Sequence, residues 1–237
     1  MEVARAQGQR TTWSPAAYEW SGFHFGGFAG WAWSELEASP LFTKEFGGNF
    51  YLLPGNSYGF EDDGFHAGVQ AGYDRQWQQF VFGVAGEVGY LTFDKSAEDP
   101  NFLPSPFPDS RAVTRFQGDW YGSFTARAGV VLAERILLYA RGGVAALNAE
   151  ASTIDKCGRG PCGVLTIDAR GDDVLWGWTV GGGMEVALDD HWSVGGEYRY
   201  FDFEDLQVKG VASNSLLYTQ DLDFDFHQVR GFASYRW

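Results

Sequence analysis

The last strand-length of the chain alternates between two kinds of side chain and stops on an aromatic residue. In VRGFASYRW, from Val229 to Trp237, the odd positions are small, aliphatic or aromatic, while Arg230 and Arg236 share the even face. The odd face suits lipid, whereas guanidinium groups are tolerable only where water or carboxylates meet them. The pattern therefore predicts the closing strand of a transmembrane β-barrel, with lipid outside and a polar lumen inside.

Composition fits a membrane crossed by strands. No stretch approaches the ~20 consecutive apolar residues that a spanning helix needs, yet 17% of the residues are aromatic and 32 of 237 are glycine. Aromatic girdles and crowded barrel interiors favour that mixture. The net charge of −14 excludes nucleic acid as a partner, because phosphate binding depends on clustered lysine and arginine.

Two local features bear on the compartment. The two cysteines, Cys157 and Cys162, are close in sequence and predict one disulfide in an oxidising compartment. A redox or metal role is the weaker alternative, because no further cysteine or convergent histidine accompanies them. Residues 1–19 lack the apolar core of a signal peptide. We expect them to form a flexible periplasmic tail before a barrel over residues 20–237.

Eight alternating segments can be recognised, and their connections are unequal. Short connections fall at 78–79, 133–135 and 189–191, and long polar ones near 36–63, 95–116, 151–173 and 207–221. Outer-membrane barrels place short turns in the periplasm and long loops outside the cell. The prediction is an all-β, eight-stranded antiparallel up-and-down transmembrane barrel with both termini periplasmic. Its strands are predicted at 21–35, 64–77, 80–94, 117–132, 136–150, 174–188, 192–206 and 222–237.

The face assignment predicts which charges point inward. An eight-stranded barrel has an interior just wide enough for side chains to fill, and charge pairing is the condition for burying ions there. We therefore expect a salt-bridged plug rather than an open pore, with a conducting or proton-relaying lumen as the alternative. The predicted lumen charge network is Glu87, Arg127, Arg141, Glu185, Glu197, Arg199 and Arg230.

Several segments resemble one family. They include WSGFHFGGFAGWAW (20–33), GFHAGVQAGYDRQW (64–77), FVFGVAGEVGY (80–90), WYGSFTARAGVVL (120–132), LLYARGGVAA (137–146), GWTVGGGMEVALDDHWSVGGEYRYFDF (177–203) and the closing HQVRGFASYRW. Together they are similar to the small porin-like outer-membrane proteins of alphaproteobacteria, within the OmpA-type superfamily that includes major surface antigens. The likeness covers about residues 20–237.

The resemblance implies a bacterial outer-membrane location and roles in envelope integrity, lipopolysaccharide contact and a host-facing surface. It does not imply an enzyme, and the four histidines fall on different faces of the predicted barrel, so no catalytic site is predicted. The family usually ends in phenylalanine, where this chain has Trp237. Tyr235 and Trp237 keep the aromatic spacing of the C-terminal insertion signal, so the barrel-assembly machinery is an expected partner.

The long connections are acidic. Residues 36–63, 94–115, 152–173 and 202–225 hold 19 acidic and 8 basic residues. One interpretation is a hydrated surface that resists aggregation; the sharper one is Ca²⁺ or Mg²⁺ bridging carboxylates to lipopolysaccharide phosphates, since these cations prefer oxygen ligands. By parity and height along the strands, the candidate cation rim is Asp202, Glu204, Asp221, Asp223 and Asp225.

Three functions can be compared from the sequence, and the assignment of faces argues against the third. The first is a structural outer-membrane barrel with a side-chain-filled lumen, contributing to envelope integrity and contacting lipid and lipopolysaccharide. The second is a narrow porin for small solutes, because lumen radius depends on shear as well as strand number. The third is a soluble ligand-binding barrel, which would bury apolar side chains and expose polar ones. The sequence does not indicate an oligomeric state.

Overall fold

The computed structural model describes residues 18–46, 49–54, 57–98, 110–157, 168–211 and 217–237. They form antiparallel strands, numbered here in chain order. The strands are β1 (Gly22–Phe46), β2 (Asn49–Pro54), β3 (Tyr58–Trp77), β4 (Phe80–Glu98), β5 (Ser110–Leu132), β6 (Ile136–Cys157), β7 (Asp168–Ala187), β8 (Trp192–Phe203), β9 (Leu206–Val211) and β10 (Leu217–Arg236). Among the described residues, no helix is long and apolar enough to cross a membrane.

The first and last strands close the sheet into a ring. β1 pairs with β10 from His24↔Arg236 to Phe42↔Tyr218, and the ring then runs β1-β3-β4-β5-β6-β7-β8-β10. The short strands β2 and β9 pair with β1 and β10 beyond the points where β3 and β8 stop, so they prolong those two strands. The predicted all-β antiparallel barrel is confirmed, and eight long strands form its wall.

The barrel has two unlike ends. At the turn end, β3 passes to β4, β5 to β6 and β7 to β8 through two, three and four residues, at the positions predicted for short turns. The C-terminus lies at the same end, where the Trp237 amide donates to the Phe23 carbonyl at 3.1 Å. The opposite end, where β1 finishes and β10 begins, is called the loop end.

The strands extend further towards the loop end than predicted. β5 and β6 stay paired up to Ser110↔Cys157, although strand was predicted only from 117 and to 150. Much of the predicted long loops at 36–63, 95–116, 151–173 and 207–221 is therefore strand. The prediction was wrong there because hydrophobicity inverts: Glu150 points outward while Ala149 and Ala151 are buried inside. The outward residues of these strand extensions are polar, as loop residues are, so the sequence pattern predicts loop where the structure has strand.

An apolar belt surrounds the outside of the ring. Large exposed side chains form an aromatic girdle near the turn end, a second girdle further up, and an aliphatic and aromatic zone between them. This is the reverse of a soluble barrel and fits strands that contact lipid. Members of the belt are Phe23, Tyr73, Trp77, Trp192 and Trp237 in the first girdle; Val69, Phe82, Val84, Val88, Phe124 and Val144 in the middle; and Trp33, Tyr90, Trp120, Trp176, Trp178 and Tyr198 in the second girdle.

Candidate functional site: the barrel lumen

Five predicted lumen residues meet in one central ion cluster, composed of Glu87, Arg141, Glu197, Arg199 and Arg230. Arg230 Nη2 lies 2.9 Å from Glu87 Oε2 and 2.8 Å from Glu197 Oε1. Arg199 Nη1 pairs with Glu87, and Arg141 Nη1 lies 3.1 Å from Glu197 Oε2. Every member is nearly inaccessible to solvent. The lumen at belt height is therefore crossed by paired charges contributed by four strands.

Neutral side chains add hydrogen bonds to the central ion cluster. The Tyr139 hydroxyl donates to Glu197 Oε2 at 2.6 Å, and Arg199 Nη2 donates to Ser123 Oγ at 3.0 Å. Arg141 Nη2 donates to Thr125 Oγ1 at 2.6 Å. Such partners matter because buried ions are tolerated only when their remaining polar atoms are also satisfied.

A second group, the turn-end ion cluster, consists of Asp74, Arg127, Glu185 and Arg236. Arg127 pairs with Asp74 and places Nη1 2.9 Å from Glu185 Oε2. Arg236 Nη1 lies 2.8 Å from Asp74 Oδ2. Asp74 is not in the predicted network, although its even position on β3 places it on the same inner face as the buried Gln70.

Glycines on the inner wall make room for these long side chains. A Cβ at Gly181 would lie 2.6 Å from the Cγ of Arg199, which crosses the lumen directly over that glycine. A Cβ at Gly83 would collide with the Asp74 carboxylate. At these two positions glycine leaves room for a charged side chain of the ion clusters, and at Gly181 it also allows close approach of the Tyr198 carbonyl, with which a Cβ would collide.

Arg230, like Arg199, is a fully enclosed cation of the lumen. Its Nε and Nη1 have no hydrogen-bond partner within the described residues. Its guanidinium carbon lies 4.2 Å from the centre of the Phe28 ring, within the range of a cation–π contact, which partly compensates for lost hydration.

Above the ions, the lumen becomes apolar. Phe201 and Phe226 stack at 4.4 Å between ring centres, and Phe116 lies 4.7 Å from Phe224. The prediction of a polar lumen is therefore wrong for the loop-end half of the barrel. There the outer face is hydrated, and an ordinary hydrophobic core can form inside. This loop-end core contains Leu36, Leu91, Phe93, Phe116, Leu147, Leu175, Phe201, Phe203, Leu206, Val208, Leu222, Phe224 and Phe226.

At the turn end, the segment before β1 enters the lumen mouth. Trp20 is fully buried, its carbonyl accepts from Arg236 Nη1 at 2.6 Å, and its amide donates to Gln76 Oε1 at 2.9 Å. Tyr18 is buried beside it. The rest of the tail predicted at 1–19 lies outside the described residues.

The predicted cation-rim residues lie outside the barrel, at the loop end. Asp202 and Asp225 are directly paired across β8 and β10, Asp221 and Asp223 follow Asp225 along the outer face, and Glu204 is exposed between β8 and β9. Within the described residues, no three acidic, histidine or cysteine side chains are close enough to hold a metal ion. Carboxylates gather there without a ready-made coordination sphere.

Two predicted features remain, the disulfide and the C-terminal insertion signal. Cys162 and the side chain of Cys157 lie outside the described residues, so the disulfide stays a prediction. Tyr235 and Trp237, the predicted insertion signal, contact each other edge to face at 5.3 Å on the outer turn end, where Trp237 is exposed.

The central ion cluster makes a quantitative prediction. Arg230→Met should lower the free energy of unfolding by about 3–5 kcal/mol, because it leaves two buried carboxylates short of a partner. Denaturant titration of protein folded into lipid vesicles measures the change. Arg115→Met is the matched control, since Arg115 pairs with Asp94 on the exposed surface, 2.6 Å away, and should change stability little. Equal effects for the two variants would contradict the assignment.

Comparison with known proteins agrees with this architecture. Residues 11–236 match the family described as outer membrane protein beta-barrel domain. The chain is 26% identical to the 31 kDa outer-membrane immunogenic protein of Brucella melitensis biotype 1, over 92% of this chain and 84% of that protein. It is 25% identical to the 25 kDa outer-membrane immunogenic protein of Brucella canis, over 86% and 76%.

Among solved structures, the outer membrane protein OprG of Pseudomonas aeruginosa is similar over 93% of this chain and 98% of that chain, with 12% identity and a TM-score of 0.49. The family match extends over nearly the whole barrel and coincides with the closed ring and its apolar belt. The chain therefore belongs to the outer membrane protein beta-barrel domain family.

Proposed function

We propose that this outer-membrane protein is a structural barrel with a closed lumen, and that its loop end contacts lipopolysaccharide outside the cell. In this orientation both termini are periplasmic, as the short turns and long hairpins favour. Tyr235 and Trp237 would then be presented to the barrel-assembly machinery during insertion. The proposal involves no reaction.

The observation that supports a closed lumen is that two different layers fill it, the ion clusters and the loop-end core. Four carboxylates face five guanidinium groups in the two ion clusters, and each carboxylate has at least one cationic partner. The loop-end core lies directly above, with Phe201 and Phe226 fully buried. An ion moving through would have to separate buried pairs and then cross an apolar layer, and both steps are unfavourable.

Conductance tests this proposal. Purified protein in a planar lipid bilayer should show no steady single-channel openings, because neither layer opens without disrupting buried contacts. A general porin inserted in the same bilayer serves as the positive control. Reproducible openings of the wild-type protein that grow with salt concentration would instead establish the narrow-channel alternative.

The observation that favours lipopolysaccharide contact is a row of carboxylates around the outer wall. Asp202 pairs with Asp225, Asp225 with Glu35, and Glu35 with Glu61, so four neighbouring strands place acids side by side. The row lies just beyond Trp33 and Tyr198 of the second girdle, at the height expected for lipid headgroups.

Charge repulsion explains why this row needs a cation. Partial burial and then the Glu35 carboxylate raise the pKa of Asp225 above its usual range. Partial burial also raises the pKa of Asp205, together with Asp223. Since the described side chains do not form a metal site by themselves, a bridging Ca²⁺ or Mg²⁺ would take its remaining ligands from lipopolysaccharide phosphates and water.

A paired substitution tests the cation bridge. In lipopolysaccharide-containing membranes, millimolar Ca²⁺ or Mg²⁺ should raise the thermal midpoint of the wild type, and Asp202→Asn with Asp225→Asn should remove most of that rise. The midpoint can be followed by heat-modifiable migration on detergent gels. Asp172→Asn with Asp173→Asn, on β7 next to β8 but outside the acidic row, is the charge-matched control and should keep the response. A full response in the Asp202 and Asp225 variant would contradict the proposal.

A further inference from the structure

β3 and β4 separate before either strand ends. Their ladder runs from Trp77↔Phe80 only to His66↔Leu91. Beyond it, β3 continues to Tyr58 paired with β1 alone, and β4 continues from Phe93 to Glu98 paired with β5 alone. By contrast, β1 and β10 remain paired far beyond the second girdle. The wall therefore has a seam at the loop end.

Side chains close the base of this seam in place of backbone bonds. The register shifts on β4 between Tyr90 and Phe93. Thr92 Oγ1 accepts from the Phe65 amide and donates to the Phe65 carbonyl, both at 3.0 Å. One step higher, the Asp94 amide donates to Asp62 Oδ2 at 3.0 Å.

The contact of Phe65 shows which backbone groups face the seam. Successive residues of a strand direct their N–H and C=O groups to opposite neighbours, so Gly59, Glu61 and Asp63 face the same side as Phe65. Within the described residues none of the three has a ladder partner on that side, although the Asp62 carboxylate approaches the Asp63 amide. Gly59 is exposed and has no side chain, so its backbone itself reaches solvent. A row of backbone donors and acceptors is thus presented to solvent.

The charge around this edge selects what can pair with it. The outward side chains of β1, β3 and β10 near the edge include no lysine or arginine among residues 35–39, 57–63 and 219–225. Across the seam, Lys95 and Arg115 each already have an acidic partner, Asp62 at 3.8 Å and Asp94 at 2.6 Å. A second copy of this chain, with its net charge of −14, would be repelled. The carboxylates that surround the edge are Glu35, Glu37, Glu61, Asp63, Asp221, Asp223 and Asp225.

We infer that the free edge of β3, from Gly59 to Glu61, is a docking site for an extended polypeptide segment that carries lysine or arginine. The segment adds to β3 as a further strand, through main-chain hydrogen bonds. Its outward cations meet Glu61 and Asp63. In the absence of such a segment, the same carboxylates protect the edge from unspecific pairing.

Two synthetic peptides distinguish strand addition from simple attraction between charges. The first alternates lysine and threonine, and the second has the same sequence with alternate amides N-methylated, so that it keeps the charge but cannot complete a ladder. Fluorescence anisotropy with the protein in phospholipid nanodiscs measures both. N-methylation should weaken binding by about tenfold or more, since several main-chain hydrogen bonds are lost. Equal binding of the two peptides, or no binding of either, would overturn the inference.

A pair of variants locates the site on β3. Glu61→Pro removes an N–H that faces the seam and leaves the β1 ladder intact, because proline is tolerated where the N–H of an edge strand is unpaired. Glu61→Gln removes the same charge but keeps the N–H. Peptide affinity should fall more for Glu61→Pro than for Glu61→Gln, with folding of both checked by heat-modifiable migration.

Hydrogen exchange supplies a readout that does not depend on the variants. The amides of Gly59 and Glu61 should exchange fast in the free protein and become protected by the lysine–threonine peptide. Protection of these amides before any peptide is added would mean that the edge is already covered, and would overturn the inference.

Discussion

Closure of the ring by hydrogen bonds between β1 and β10 is the constraint on which the rest of the structure depends. Hydrocarbon offers no partners to backbone N–H and C=O groups, so strands cross a membrane only when every edge is paired. The pairing continues from His24↔Arg236 across the full apolar belt. Where the belt ends and water returns, the requirement relaxes, and there β3 and β4 are able to separate.

A closed ring of eight strands leaves an interior too narrow for much besides side chains. At belt height, the outward positions are taken by lipid contacts, so polar residues lie inside and must neutralise one another. The result is the two ion clusters, with glycines such as Gly181 giving Arg199 room to cross. At the loop end the outside is wet, and the interior reverts to the packed aromatic core around Phe226. The same barrel therefore encloses an ionic interior at belt height and an apolar interior at the loop end.

Period-two alternation was enough to predict the membrane part from the sequence. It gave the fold class, the short turns and the inward side of Glu87, Arg199 and Arg230. It did not give the ion pairs themselves, because which strands meet across the lumen depends on shear, which no local pattern encodes. The strand extensions were not predicted because, beyond the second girdle, the outward residues become polar and the inward residues become apolar. The seam was missed because it arises from a register shift near Thr92 that is invisible without the partner strand.

The central claim is that buried ion pairs fill the lumen of this outer-membrane barrel. Exchange of arginine side-chain N–H protons with water, followed by NMR on protein in nanodiscs, tests it most directly. Guanidinium protons of Arg199 and Arg230 should remain visible and exchange far more slowly than those of exposed Arg115. Exchange of all three at the same fast rate would show a water-filled lumen and contradict the account.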